Sequence, residues 1–254
     1  MMEQTMLKIK GLSVSYEERK ALQEINLEVT SGKIVCIVGE SGAGKSTLLK
    51  AITGYRDLTV EAGQIFLGDQ EITTRPGAKQ NHLLGEAIGV IPQNPAGSFN
   101  PIRRYEPQIR ETLRSHHMVY ERERVIKAFA STGLHHAEEI LAQRPYELSG
   151  GMNQRVAVAA AMLLEPKLLL CDEPTSALDV NTQDLVMEEF VRINRESGTT
   201  ILMVTHNLGL AGKIADSIAI MARGKIIEQG EAHAVISAPK EAYTRKLIDD
   251  VPKL

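Results

Sequence analysis

Apolar and polar residues alternate through the first thirty positions. Leu7, Ile9 and Leu12 begin the pattern, Ser13 to Tyr16 continues it, and Ile25-Asn26-Leu27-Glu28-Val29 repeats it. A period of two predicts strands with one covered face. Ile34-Val35-Cys36-Ile37-Val38 breaks the alternation. Five apolar residues in a row, ending at Gly39, predict a strand buried on both faces, as in parallel sheets. A helical pattern then runs from Ser46 to about Ile52 and closes at Gly54.

The middle of the chain has another texture. From about Asn94 to Arg155 it is rich in Arg, His and Glu and reads as helices broken by Pro and Gly, clearest over Ile109 to Ser115 and Arg122 to Ser131. Strand and helix then alternate again. Strands are predicted at Ile88 to Ile91, Lys167 to Cys171, Thr200 to Thr205 and Ser217 to Ala222; helices at Val180 to Glu196 and Ala211 to Ala215. Arg223-Gly224-Lys225 reads as a hairpin turn into Ile226 to Gln229. This order predicts an α/β fold with a mostly parallel sheet and a helical insertion.

Composition narrows the function classes. At about 150 residues per domain, 254 residues make one large domain or two small ones. The charge sum of 29 − 32 = −3 gives no basic excess for nucleic acid or an anionic membrane. Cys36 and Cys171 each sit in an apolar run without a CxxC spacing, so reduced buried thiols are expected and a cysteine metal site is not. The longest apolar run, Val156 to Leu164, falls far short of the ~20 residues of a membrane span. The N-terminal MMEQTMLKIKG has no apolar signal core, so the chain is expected to be neither secreted nor membrane-spanning by itself.

Three motifs carry chemistry. Gly39-Glu40-Ser41-Gly42-Ala43-Gly44-Lys45-Ser46 fits G-x-x-x-x-G-K-[ST] between a buried strand and a helix. Glycines there let backbone N–H groups surround phosphate oxygens at a helix N-terminus. Lys45 would reach the β- and γ-phosphates, and the Ser46 hydroxyl would bind Mg²⁺. Leu168 to Glu173 is an apolar strand ending in two carboxylates. Asp172 can hold Mg²⁺ through water, and Glu173 can polarise an attacking water. Leu148-Ser149-Gly150-Gly151-Met152-Asn153-Gln154-Arg155 offers Ser149 as N-cap of a helix running toward Leu164. Its two glycines expose N–H groups at the positive helix end.

With these motifs in this order, the chain resembles the ATP-binding subunit of an ABC transporter over nearly all its length. Tyr16 matches the aromatic that stacks on adenine, Gln93 the Q-loop, Ser176-Ala177-Leu178-Asp179 the D-loop and His206 the switch histidine. The resemblance implies a P-loop NTPase (RecA-like) core with an N-terminal antiparallel β subdomain. It implies one ABC domain over 1–254, with the helical subdomain inserted at about 94–154. It implies ATP and Mg²⁺ as cofactors. Gly39, Ser41, Gly42, Gly44, Lys45, Ser46 and Thr47 would hold phosphate, and Ser46, Gln93 and Asp172 would hold the metal. It implies a head-to-tail pair in which Ser149, Gly150 and Gly151 meet the partner's γ-phosphate and Asp179 crosses to the partner's phosphate loop. Glu173 would be the general base, with His206 holding the γ-phosphate and attacking water, and Gln93 reporting nucleotide state to the helical subdomain.

Gln93-Asn94-Pro95-Ala96-Gly97-Ser98-Phe99-Asn100-Pro101 resembles the peptide/nickel importer branch, with Phe99 and a short tail without cysteine favouring its nickel-type members. The implied partners are integral membrane permease subunits, a second and different ATP-binding subunit, and indirectly a solute-binding protein, but no nucleic acid. The implied place is the cytoplasmic face of the inner membrane. Cargo is expected to be nickel or a metal chelate first and a short peptide second. Arg103, Arg104 and Tyr105 are candidate contacts to the permease. Asn207 departs from the usual Asp after the switch histidine, and Asn153 from the commoner Arg or Leu in the signature. The adjacent pairs His116-His117 and His135-His136 read as helix surface, because neighbours on a helix point about 100° apart. A soluble ATPase of a non-transport assembly, such as a phosphonate-degradation complex, is the alternative. A DNA-repair ABC ATPase is excluded, because the chain has no room for its coiled-coil insertion.

Overall fold

The computed structural model describes residues 4–16, 19–73, 87–176 and 178–250. The chain divides into two compact units, residues 1–82 with 198–254, and residues 83–197.

In the first unit, strands β1 (Thr5–Tyr16) and β2 (Arg19–Thr30) pair antiparallel, as the alternation predicts. On β2, Leu22, Ile25, Leu27 and Val29 are buried. Strand β3 (Ile34–Val38) is buried at every position and is followed by α1 (Lys45–Ile52). The sequence reading missed β4 (Thr59–Leu67), which pairs antiparallel with β1 and carries the short β5 (Gln70–Glu71) on its other side. Only Val60 and Ile65 are buried along β4, so it shows no alternation to read. A Cβ on Gly63, at φ 88°, would lie 2.5 Å from the Gly11 carbonyl oxygen, so the strand pair closes only with glycine there.

In the second unit, β6 (Ile88–Ile91) leads through a 3₁₀ turn (Pro95–Ser98) into α2 (Tyr105–Ser115), α3 (Arg122–Ala130), α4 (Ala137–Ala142) and α5 (Gly150–Met162). Helix α2 starts four residues before the expected Ile109. Pro107 reads as a breaker, but it occupies the first turn, where no intrahelical N–H bond is lost. Tyr105, Ile109, Leu113, Val125, Phe129, Ile140 and Val156 form the helical core. Strand β7 (Leu168–Asp172) runs parallel to β6 and leads to α6 (Val180–Ser197), whose Val186, Met187, Phe190 and Ile193 are buried at helical spacing.

The chain then returns to the first unit. Strand β8 (Thr200–Thr205), helix α7 (Leu208–Ile214), strands β9 (Ser217–Ala222) and β10 (Lys225–Glu231), and helices α8 (Ala232–Ser237) and α9 (Ala242–Asp249) complete it. Strand β3 lies between β8 and β9, parallel to both, and β10 joins β9 antiparallel. The predicted hairpin turn is there, with both Arg223 and Gly224 at positive φ, as a two-residue turn between right-twisted strands requires. The expected buried thiols are found: Cys36 and Cys171 are buried and in no disulfide, and burial pushes Cys36 up to about 12, which leaves it protonated and unreactive. Among the described residues, no helix is long and apolar enough to cross a membrane.

Candidate functional site

The predicted phosphate loop spans Gly39 to Gly44, between β3 and α1. A Cβ on Gly39 would lie 2.1 Å from the carbonyl oxygen of Met221 on β9, so only glycine lets the loop leave the sheet here. Gly42 and Gly44 hold φ of 81° and 106°, and Gly44 caps α1. The Ala43 N–H donates to Glu40 O (3.2 Å), and the Gly224 N–H donates to Ala43 O (2.8 Å), so the β9–β10 turn braces the loop. Lys45 is buried, and its ammonium donates to Gly39 O (2.7 Å) and Glu40 O (3.1 Å), which folds it back across the loop. The first-turn amides of α1, at Lys45, Ser46 and Thr47, have no helical carbonyl four residues back and add a positive helix end. Loop, ammonium and helix end together make an anion cradle.

Two further expected residues belong to the same unit. Strands β3 and β8 pair with Val38 opposite Thr205, and Gly39 N–H donates to Thr205 O (3.4 Å). His206, exposed and next in sequence, therefore emerges at the same sheet edge as the phosphate loop. Asn207 caps α7, its Oδ1 accepting from Leu210 N (3.0 Å), a role Asp fills equally well. Tyr16 ends β1 beside α1, with the Lys50 ammonium 3.4 Å from its hydroxyl and 5.9 Å from its ring centroid.

The sequence reading missed α9, which leans on the phosphate loop. The Tyr243 hydroxyl accepts the Glu40 N–H (3.2 Å), and the Lys246 ammonium lies 3.9 Å from the Glu40 carboxylate. Glu228 on β10 anchors the start of this segment, accepting from Lys240 N (2.9 Å), Glu241 N (3.2 Å) and Thr244 Oγ1 (2.5 Å). The available signal was the N-terminal turn chemistry of Pro239 to Glu241 ahead of a short amphipathic stretch. Burial raises the Glu228 pKa, but the donors from Lys240, Thr244 and Glu241 outweigh it and hold the carboxyl below its ordinary 4.5. A depressed carboxylate stabilises the fold above its unfolded pKa, and that contribution is lost as pH falls through the folded value. Protection of the Lys240 to Thr244 amides, taken relative to their intrinsic exchange at each pH, should therefore fall selectively below about pH 4.5. Glu228→Gln should remove that pH dependence; an unchanged acid profile in the variant would count against the anchor.

In the second unit, β6 and β7 run parallel, with Ile91 opposite Cys171. Gln93, Asp172 and Glu173 therefore emerge at one edge of this strand pair. Glu173 is buried and sits at φ 47°, a left-handed conformation that costs a non-glycine residue about 1–2 kcal/mol. Its carbonyl is clamped by Ser176 N (3.2 Å) and Ser176 Oγ (3.1 Å), which holds that conformation. Ser149 is the N-cap of α5, as expected, its Oγ accepting from Met152 N (3.3 Å). The hydroxyl proton remains able to donate to an incoming oxygen. Gly150 and Gly151 face the start of α6; a Cβ on Gly151 would come within 2.8 Å of Thr182 Cγ2. Asp179 caps α6 by accepting from Thr182 N (3.1 Å) and Thr182 Oγ1 (2.7 Å). Ala177 lies outside the described residues.

Tyr105 is corrected. It was expected as a surface contact, but its relative exposure is 0%. Its ring packs edge-on to Phe99, centroids 4.9 Å apart, and its hydroxyl donates to Asn153. Arg103 is paired with Glu111 (2.6 and 2.8 Å), while Arg104 and Ile102 are exposed. Beside them, Val90, Phe99, Thr112, His116, Ala157 and Ala161 line an apolar groove of about 360 Å³.

The sequence model of the ABC transporter family matches residues 22–176. The chain belongs to that family. It is similar to the oligopeptide transport ATP-binding protein OppD of Lactococcus lactis subsp. cremoris, at 33% identity over 99% of this chain and 77% of that one. OppD of Haemophilus influenzae is 35% identical, covering 98% and 80%. Among solved structures, cbiO1 from Clostridium perfringens, part of the ABC transporter complex cbiONQ, superposes with a TM-score of 0.79 at 28% identity, covering 93% of this chain and 92% of that one. The ATP-binding cassette MJ0796, as a dimer bound to ADP and Pi, gives 0.76 at 26% identity, covering 89% and 99%. The fold is thus the P-loop NTPase fold of ABC cassettes, and the activity is ATP hydrolysis coupled to transport. As an ABC subunit of the peptide importer type, the chain binds ATP.

Proposed function

We propose that this ABC subunit drives an importer of di- or oligopeptides, with nickel or a metal chelate as the second cargo. The sequence alone ranks the metal first. The similar proteins are named for oligopeptide transport, and that moves peptides ahead. The observation that supports this mechanism is that one chain carries two helix starts flanked by glycine, α1 after Gly44 and α5 at Ser149-Gly150-Gly151. The phosphate loop binds ATP in its own subunit, and Ser149, Gly150 and Gly151 meet the γ-phosphate held by the other subunit. Tyr16 stacks on the base. Glu173 takes the proton of the attacking water, and His206 holds that water against the γ-phosphate. Asp179 crosses to the other subunit while capping α6. The Ser46 hydroxyl, the Gln93 carbonyl and the Asp172 carboxylate are hard oxygen donors suited to Mg²⁺. When bound, Mg²⁺ neutralises charge building on the β- and γ-phosphates.

A segment of a permease subunit fits the groove beside Phe99, and the Q-loop run ending at Pro101 leads into it. Two unlike permease subunits favour two unlike ATPase subunits, so this chain is expected to be monomeric alone and to close its sandwich with a sister subunit at the cytoplasmic membrane face.

Ser149→Arg tests the trans geometry. Binding of a fluorescent ATP analogue to the monomer should persist, while sandwich formation and turnover fail. Lost binding in a folded variant would contradict the arrangement. Cargo and partners are tested by deleting the gene and following growth on di- and oligopeptides and ⁶³Ni uptake, and by co-purifying integral membrane proteins. Lost peptide use with normal nickel uptake is expected. Normal peptide use with lost nickel uptake would reverse the order of cargo, and a fully active homodimer would overturn the pairing.

A further inference from the structure

Asn153 is one of two polar residues, with Gln154, among the buried positions of α5, and its relative exposure is 5%. Asparagine is a poor choice for a buried helical position unless its amide is fully used. Here it is. Its Oδ1 accepts from the Tyr105 hydroxyl, and its Nδ2 donates to three carbonyls, Pro145 O (3.0 Å), Leu148 O (3.3 Å) and Ser149 O (3.1 Å). These carbonyls belong to the segment that enters α5. One side chain therefore ties the residues before the Ser149 cap to the first turn after it. Leucine can make none of these bonds, and arginine has no acceptor for the tyrosine hydroxyl.

The other end of the tie reaches the groove. Tyr105 is the first residue of α2, and its N–H donates to Gln143 O (3.0 Å). Its ring meets the Phe99 ring at 80° with centroids 4.9 Å apart, and Phe99 lines the groove. Groove, Phe99, Tyr105, Asn153 and the Ser149 backbone are thus consecutive contacts within one unit.

We propose that Tyr105 and Asn153 are positioning residues for ATP hydrolysis: together they fix the Ser149-Gly150-Gly151 turn. The proposal rests on Ser149 acting on the other subunit's γ-phosphate. The physical argument is rigidity. A buried tyrosine ring, a half-buried phenylalanine ring against it and an amide bonded through both its oxygen and its nitrogen leave the turn one well-defined place, and misplacing a group by about 1 Å in such a site can cost on the order of a hundredfold in rate.

Tyr105→Phe keeps the ring, its burial and its contact with Phe99, but removes the hydroxyl. In the complete importer, purified through a tag on this chain, kcat for ATP should fall about tenfold, within the range of such misplacements, with KM little changed. In the chain alone, amide exchange at Gly151 to Asn153 should accelerate while residues 40–47 keep their protection. Asn153→Leu, which keeps a well-packed side chain, should give the same signature. The double variant should be no slower than the worse single one, because both act through one contact. Unchanged kcat, a rise in KM alone, additive losses, or faster exchange spread evenly over residues 83–197 would each overturn the proposal. Ser149→Arg in the same assay separates the two ideas. Normal turnover there would overturn the role of Ser149, whereas lost turnover there with normal Tyr105→Phe kinetics would overturn only the tie.

Discussion

Glu173→Gln should abolish steady-state ATP turnover while leaving ATP binding intact. The substitution keeps the side-chain volume in a buried position and removes only the base. Losing a general base lowers a rate by at least about 10²-fold, roughly 3 kcal/mol of barrier. The backbone at φ 47° is held by the Ser176 clamp on the Glu173 carbonyl, which the amide leaves untouched. The loop should therefore keep its shape, and ATP should accumulate in a closed sandwich visible by size-exclusion chromatography with the sister subunit. Hydrolysis near the wild-type rate would remove Glu173 from the mechanism.

Lys45→Ala should weaken MgATP binding steeply and end hydrolysis. Unit charges 4 Å apart at an effective dielectric constant near 20 attract by about 4 kcal/mol, roughly a thousandfold in affinity before solvent rearrangement reduces it. The ammonium also ties Gly39 O and Glu40 O together, so its loss loosens the cradle as well as discharging it. Titration with a fluorescent ATP analogue measures the first effect. Amide exchange at residues 39–44 measures the second. An ATP affinity within twofold of wild type would remove Lys45 from the phosphate site.

The features legible in the sequence are local. The all-apolar run Ile34 to Val38 can only be satisfied between two other strands, and β3 is found between β8 and β9. The glycines and lysine after it define an anion-binding turn before any neighbour is known. Ser149 announces a helix start through its own side chain, and it accepts from Met152 N as a cap should. These features depend on residues a few positions apart, so backbone preference and side-chain chemistry fix them. The remaining features depend on partners distant in the chain. Gly39 must be glycine because the Met221 carbonyl, on β9, approaches it. Tyr243 supports the phosphate loop from 203 residues away. Tyr105 looks like one more residue of an exposed, charged segment. It became a core residue because Asn153, 48 positions on, needed its hydroxyl and Phe99 packed against its ring. A buried polar atom is stable only with its partner in place. Which partner arrives is set by how strands and helices are stacked, and that is a property of the whole fold rather than of any window of its sequence.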